Sequence, residues 1–231
     1  MTENTAIEAM FNAGAHFGFS RARRHASVRP FLFGSKNGVD IIDLTETAKL
    51  LENAKARIQE LAKLGKIVLF VGTKKEIRGL VEETAKSLGM PYVCERWVGG
   101  ILTNWSEIKK RTGRLKELTE KFSKGELDKY TKMEKLLFER EMGRLQKEFG
   151  GIATLEGAPA LLVVVDPREE HIAVTEARKL KIETVTLSST DCDISKITYP
   201  IVANDSALLS VKYFLAELAG AYEAGKKQRA T

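Results

Sequence analysis

The sequence predicts a doubly wound α/β domain, a parallel sheet flanked by helices, from which an antiparallel helical hairpin projects. Three observations predict it. β-rich apolar runs alternate with helical patterns that open on capping residues. Two of those runs carry a strand-turn-helix signature immediately after the strand. Residues 104–149 hold no strand pattern and read as two charged helices around a turn.

The first strand-turn-helix unit is Ile67 to Val71, a buried strand followed by Gly72 and by Thr73, which is placed to cap a helix with Glu76 at its third position. Tyr92 to Cys94 is a further strand candidate. From Asn104 to Phe149 the apolar residues Ile108, Leu115, Leu118 and Phe122, and then Phe138, Met142, Leu145 and Phe149, fall at heptad-compatible spacings on either side of Ser123-Lys124-Gly125 and Asp128. Thr131 with Glu134 forms a capping box for the second helix. Gly150-Gly151 is expected to turn the chain sharply back to the sheet. Leu161 to Val165 repeats the first unit, with Asp166 as cap, Pro167 at the first helical position, and Glu169 and Glu170 at the positive end of the helix dipole. Thr184 to Leu187 and Tyr199 to Val202 complete the strands, and Asn204 or Asp205 caps a helix running through Leu218. The expected organisation is a discontinuous α/β domain over 1–103 and 150–225, an inserted coiled-coil hairpin over 104–149, and a basic tail over 226–231.

Charge is distributed more tellingly than its total of +6. Phe19 to Gly38 carries five Lys/Arg and no acid; Ser106 to Phe149 carries thirteen against nine; Gly225 to Thr231 carries three and none. The remainder is therefore net acidic, and the bases sit on excursions from it. That arrangement suits a polyanion partner, although a solvated surface would explain an excess this modest equally well.

Chemistry is scarce. Cys94 and Cys192 lie far apart without a CxxC pair or histidines at metal spacing, which argues against a disulfide framework and a structural zinc and fits a reducing cytoplasm. No apolar run reaches membrane-spanning length and the N-terminus has no leader pattern, so the chain is expected to be soluble and untargeted. His16, His25 and His171 stand in no arrangement that suggests a nucleophile or metal. Lys74 and Lys75 after the first strand could serve a phosphate, but neither GxxxxGK[ST] nor GxGxxG is present and ordinary turn chemistry suffices. The segment F19-S-R-A-R-R-H-A-S-V-R-P-F-L-F-G-S-K-N-G reads as a short irregular loop whose arginines fit RNA phosphates, with Phe31 and Phe33 as packing anchors rather than stacking platforms.

H16-F-G, R29-P-F-L-F-G-S-K-N, G72-T-K, R96-W-V-G-G-I-L-T-N-W, F149-G-G-I, the A160-L-L-V-V-V-D strand and E170-H-I-A-V-T-E-A resemble, in order and nearly end to end, the landmarks of the bacterial S-two ribosomal proteins. The most specific is R96-W-V-G-G-I-L-T-N, just ahead of the two-helix insertion that marks the bacterial form. The resemblance implies a flavodoxin-like domain with a protruding coiled coil, lodged between head and body of the small ribosomal subunit, and a role in holding the S-one family protein. Phe19 stands where the family commonly has a second histidine, so no metal is implied there. C192-D-I-S-K and A203-N-D-S depart from the family's D-P-D and G-N-D-D, and no acidic extension follows G225-K-K-Q-R.

Taken together, the expectation is a non-enzymatic, cofactor-free structural protein of the bacterial small subunit, with no membrane or small-molecule partner. It is expected to bind ribosomal RNA and neighbouring proteins, including the S-one family. Arg21, Arg23, Arg24, Lys36, Arg96, Lys109, Lys110, Arg111 and Arg114 are the candidate phosphate partners. Trp97, Gly99, Gly100, Asn104 and Trp105 are expected to lock the hairpin's root. An enzyme with its ligand near Gly72 or Asp166 is one rival; a coiled-coil adaptor that ignores RNA is the other.

Overall fold

The computed structural model describes residues 3–229. In chain order the elements are α1 (Glu3–Asn12), β1 (Phe17–Ser20), β2 (Leu32–Lys36), β3 (Val39–Ile42), α2 (Leu44–Lys63), β4 (Val68–Val71), α3 (Arg78–Leu88), β5 (Tyr92–Val93), α4 (Trp105–Ser123), α5 (Lys132–Phe149), β6 (Leu161–Val165), α6 (His171–Lys179), β7 (Glu183–Ser188), β8 (Tyr199–Val202) and α7 (Leu208–Arg229).

The five expected strands form one parallel sheet in the order β5-β4-β6-β7-β8. This is the flavodoxin-like order, with the strand sequence reversing between β4 and β6. Both faces are covered, so β4 and β6 are continuous apolar runs, whereas β7 alternates Val185 and Leu187 with the buried Thr184, Thr186 and Ser188. Val68, Phe70, Leu161, Val163 and Val165 pack into a core with α1, α2, α3 and α7. Leu69, Val71, Leu162 and Val164 face the other way, onto Trp97, Ile101, Ile108, Phe149, Ala173 and Ala177. No helix among the described residues is long and apolar enough to cross a membrane.

A second sheet, of three antiparallel strands in the order β1-β3-β2, takes in β2 and the end of β1 from the Phe19–Gly38 segment expected to be an irregular loop, with β3 directly after it. Its hairpin turns at Asn37 and Gly38, both at positive φ, 52° and 77°. Both central residues left-handed is the geometry that matches strand twist in a two-residue turn, and Asn-Gly is the pair best able to adopt it. The sheet docks beside the carboxyl ends of β7 and β8: Phe19 N–H donates to Thr190 Oγ1 at 2.9 Å, His25 N–H in the linking turn to the Thr190 carbonyl at 2.8 Å, and Ile42 packs on Val202.

Local expectations fail where tertiary partners intervene. Thr73 does not cap a helix; its hydroxyl and N–H both donate to the Glu170 carboxylate, and α3 begins only at Arg78. Asp166 caps the turn before α6 rather than the helix itself, accepting from the Arg168 and Glu169 amides. Asn204 likewise accepts from Ser206 and Ala207 N–H, and α7 continues past Leu218 to Arg229. Lys226, Lys227 and Arg229 therefore lie in a helix rather than a tail, and the last two residues of the stretch expected to be a tail lie outside the described residues. The Thr131–Glu134 capping box is present in full.

α4 and α5 pack on each other through Ile108, Leu115, Leu118, Leu145 and Phe149, with Phe138 and Met142 partly buried beside them; Phe122, expected in the same stripe, is half exposed. Gly150 has ordinary helical angles, φ −56° and ψ −41°, so the return from α5 does not depend on unusual backbone freedom. What requires glycine is space: a Cβ on Gly151 would lie 2.2 Å from the Tyr92 carbonyl oxygen. Gly151→Ala must push the chain off β5, and it should cost about 1–3 kcal/mol. The check is thermal unfolding, with a melting temperature lowered by about 2–10 °C.

Candidate nucleic-acid interface

The nine candidate cations separate into groups once their partners are visible. Arg24 is bound bidentately by Asp40, whose side chain is fully buried under the antiparallel sheet. The Asp40 hydrogen bond, outweighing burial, holds the Arg24 guanidinium's pKa above its usual value. Arg24 thus secures the sheet. Arg23 lies over the Phe19 ring at 4.3 Å and pairs with Asp191 at 2.9 Å, which Arg168 also contacts. Its side chain remains half exposed, so one face stays open to solvent. Arg21 and Lys36 flank the hairpin tip, where Arg21 N–H donates to the Gly38 carbonyl. Both side chains are exposed, as is Arg29, and none of the three has an acidic partner among the described residues.

On α4, Lys109 and Arg111 are exposed, Lys110 pairs with Glu107 at 3.0 Å, and Arg114 is held by Glu117 and by both oxygens of Glu141 on α5. Arg114 therefore clamps the two helices. Arg96 is exposed at the start of the loop that feeds α4.

That loop is organised by a residue that lies within the E170-H-I-A-V-T-E-A stretch but whose role no local pattern discloses. The buried Glu176 carboxylate, on α6, accepts from Trp97 Nε1 at 3.2 Å, Gly100 N–H at 2.7 Å, Leu102 N–H at 3.0 Å, and Thr103 N–H and Oγ1 at 3.1 Å. Burial opposes its ionisation, but the donors at Gly100, Thr103, Trp97 and Leu102 outweigh it and hold the carboxyl below its ordinary pKa. Gly100 sits at φ 98°, which aims its N–H into this cup. Gly99 is exposed, Asn104 N–H donates back to the Gly100 carbonyl at 2.8 Å, and Trp105 packs on the core beneath with its indole N–H buried and unpaired. A carboxylate in the middle of a helix pattern ordinarily faces water, so only the fold reveals Glu176's role.

The switch point between β4 and β6, where a flavodoxin-like domain would take a ligand, is filled by the chain itself. Glu170 accepts from Thr73 N–H at 2.8 Å and Thr73 Oγ1 at 2.6 Å, taking the amide that a phosphate would use. Lys74 Nζ contacts Asp166 at 2.5 Å and Asp205 at 3.5 Å, and Asp205 also accepts from Ser189 N–H at 3.1 Å. Burial, with the neighbouring Asp166 charge, pushes the Asp205 carboxyl up to about 6. Asp166, Cys192 and Asp205 each bring a donor atom within 4.8 Å of the others, but the Lys74 ammonium already contacts both carboxylates. Burial raises both thiols, Cys94 to about 12, leaving them protonated and unreactive near neutrality. His25 Nδ1 accepts from Ser27 N–H, His171 is exposed, and His16 stacks on Phe11 at 4.4 Å. These contacts are structural.

Fold and site together define a flavodoxin-like α/β protein whose usual ligand crevice is closed by its own side chains and which carries exposed cations on an added antiparallel sheet and an inserted helix pair. A sequence profile of the family described as "Ribosomal protein S2" matches residues 10–225. Among curated relatives, the small ribosomal subunit protein uS2 of Thermosynechococcus vestitus is 42% identical, covering 96% of this chain and 84% of its own length; that of Picosynechococcus sp. is 41% identical, covering 96% and 86%. The uS2 of Geotalea uraniireducens is 39% identical over 98% of this chain and 88% of its own. The chain belongs to the ribosomal protein S2 family.

Proposed function

We propose that this chain is a structural, non-enzymatic constituent of the small ribosomal subunit in the bacterial cytoplasm, binding ribosomal RNA and neighbouring ribosomal proteins. The family match over residues 10–225 carries this reading. The geometry supports it, because a crevice closed by Glu170 and Lys74 leaves little room for a nucleotide while Arg21, Arg29 and Lys36 present charge outward. Residues 1–103 and 150–225 act as one body, with 104–149 inserted as a projecting coiled-coil hairpin whose Lys109, Lys110, Arg111 and Arg114, with Arg96 at its root, lie within reach of RNA. Arg23 meets RNA with its exposed half, whereas Arg24 acts by holding the sheet in shape. A protein of the S-one family among the neighbours rests on the resemblance alone.

Sedimentation of a lysate on sucrose gradients at moderate and high salt tests the assignment. The chain should co-migrate with small subunits; remaining at the top at both salts would sink it, and association that survives nuclease and ignores salt would favour the adaptor. Reversing Arg21 and Lys36 to glutamate should weaken rebinding to stripped small subunits and lower the slope of log affinity against log salt by about one for each phosphate no longer neutralised. An unchanged slope would remove these two residues from the interface.

A further inference from the structure

We infer that Phe33 stacks on an unpaired base of the RNA that this chain binds. The inference rests on the RNA-binding reading above and assigns the antiparallel sheet a contact to a base as well as to phosphates. The sequence pattern makes packing anchors of both Phe31 and Phe33, and the structure separates them. Phe31 packs on the small cluster of Val28, Ile42, Ile194 and Val202, while Phe33 is 81% exposed, the most exposed large apolar side chain among the described residues.

The backbone supplies the cause. Leu32 pairs with Ile42 and Gly34 with Ile41, so β2 spends one residue more than β3 at this point and the extra residue is Phe33. A bulge of this kind turns a side chain out of the ladder and re-aims it, and such bulges collect at binding sites. Beside it Gly34 offers no side chain, and apart from its two chain neighbours no described atom lies within 4 Å of where its Cβ would be. The ring is therefore open on a strand edge.

A single exposed phenylalanine is ordinary on a protein surface, so its surroundings must decide. Gly34, Ser35, Lys36, Asn37 and Gly38 follow it and none is apolar enough to extend a patch, while Phe17, the half-exposed aromatic of the same sheet, lies across β3 on β1 with its ring against His16. The segment from Phe19 to Gly38 has no acid, and Arg21, Arg29 and Lys36 lie on the same small sheet or the turn leading into it, exposed and without acidic partners among the described residues. A fully open aromatic face in a cationic setting matches the two halves of a nucleotide, base on ring and phosphate on guanidinium or ammonium.

The test rebinds full-length chains to small subunits stripped of this protein. Phe33→Leu should weaken binding by about tenfold, the scale of one base stack, with the salt slope unchanged; Phe33→Tyr should bind within about twofold of the parent. Both variants should melt with the parent, because the ring buries little. Short-wave ultraviolet irradiation of the complex should cross-link the Phe33 peptide to a nucleotide. Parent-like binding by Phe33→Leu, or a cross-link to a protein neighbour instead, would overturn the stacking. If Arg21→Glu with Lys36→Glu still weakens binding in that case, the phosphate reading stands and only the stack fails; if that variant also binds normally, the RNA reading of this sheet has failed.

Discussion

Glu176→Ala should lower the melting temperature by about 10 °C, corresponding to roughly 3–5 kcal/mol at neutral pH. The carboxylate is the common acceptor for the Trp97 indole, three backbone amides and the Thr103 hydroxyl, all in the loop that leads from β5 into α4. Removing it strands the buried donors of Trp97 and Leu102, each at a cost of about 1–3 kcal/mol, while Gly100 and Thr103, nearer the surface, can turn partly to water as the loop relaxes. Glu176→Gln should fall between, since it keeps one acceptor and turns an amide N–H₂ toward the remaining donors. The pH dependence has a definite sign. Because the folded carboxyl sits below its ordinary value of 4.5, its contribution is complete above that pH and disappears as the pH falls through the lower folded value. The gap between parent and alanine variant should thus narrow in acid. Thermal melts at neutral and acid pH, with limited proteolysis of residues 96–104, check this; equal melting and equal protease resistance at neutral pH would mean that the loop is held by Trp97 and Ile101 packing alone.

The contrast between Glu176 and the strands shows what can be read from one sequence. Val68–Val71 and Leu161–Val165 are covered on both faces, so burial imposes an unbroken apolar run that stands out from its surroundings. The Thr131–Glu134 capping box is equally legible because both halves lie within one turn. The antiparallel sheet is hard to read because β2 is almost entirely exposed and contains a glycine and a bulge; the usable signal is Asn37-Gly38 between Phe33–Lys36 and Val39–Ile42. Arg24 resembles its neighbours Arg21 and Arg23 because nothing local announces that Asp40 will be buried against it, sixteen residues away. Thr73 matches a helix cap by spacing, yet Glu170, distant in sequence, supplies a stronger acceptor than the local turn can. Short-range chemistry is visible in the chain, and charge pairing across the fold is not.

Lys74→Met should destabilise the protein by about 3–5 kcal/mol at neutral pH, the scale on which one partner is removed from a buried ion pair. Asp166 and Asp205 are 8% and 1% exposed, and the Lys74 ammonium is the cation that contacts both. Even with it in place, burial and the repulsion of Asp166 push the Asp205 carboxyl up to about 6; without it the carboxyl must rise further. A folded value above the unfolded 3.8 means that the neutral acid's contribution is complete below about 3.8 and is lost as pH rises through the folded value. The penalty of Lys74→Met should therefore be largest at pH 7 and above and shrink toward pH 4, where Asp205 takes up a proton. Asp205→Asn should flatten the same pH window in the parent. Denaturant unfolding across pH 4–8, run beside nucleotide-binding titrations, separates the two uses this lysine could have. A large drop in stability with no nucleotide binding in the parent means that the switch point is structural, its anion site satisfied from within by Glu170, Asp166 and Asp205. An unaltered stability, with saturable nucleotide binding that Lys74→Met abolishes, would mean that the crevice opens in solution and that a small anionic ligand, in addition to RNA, belongs to this protein's function.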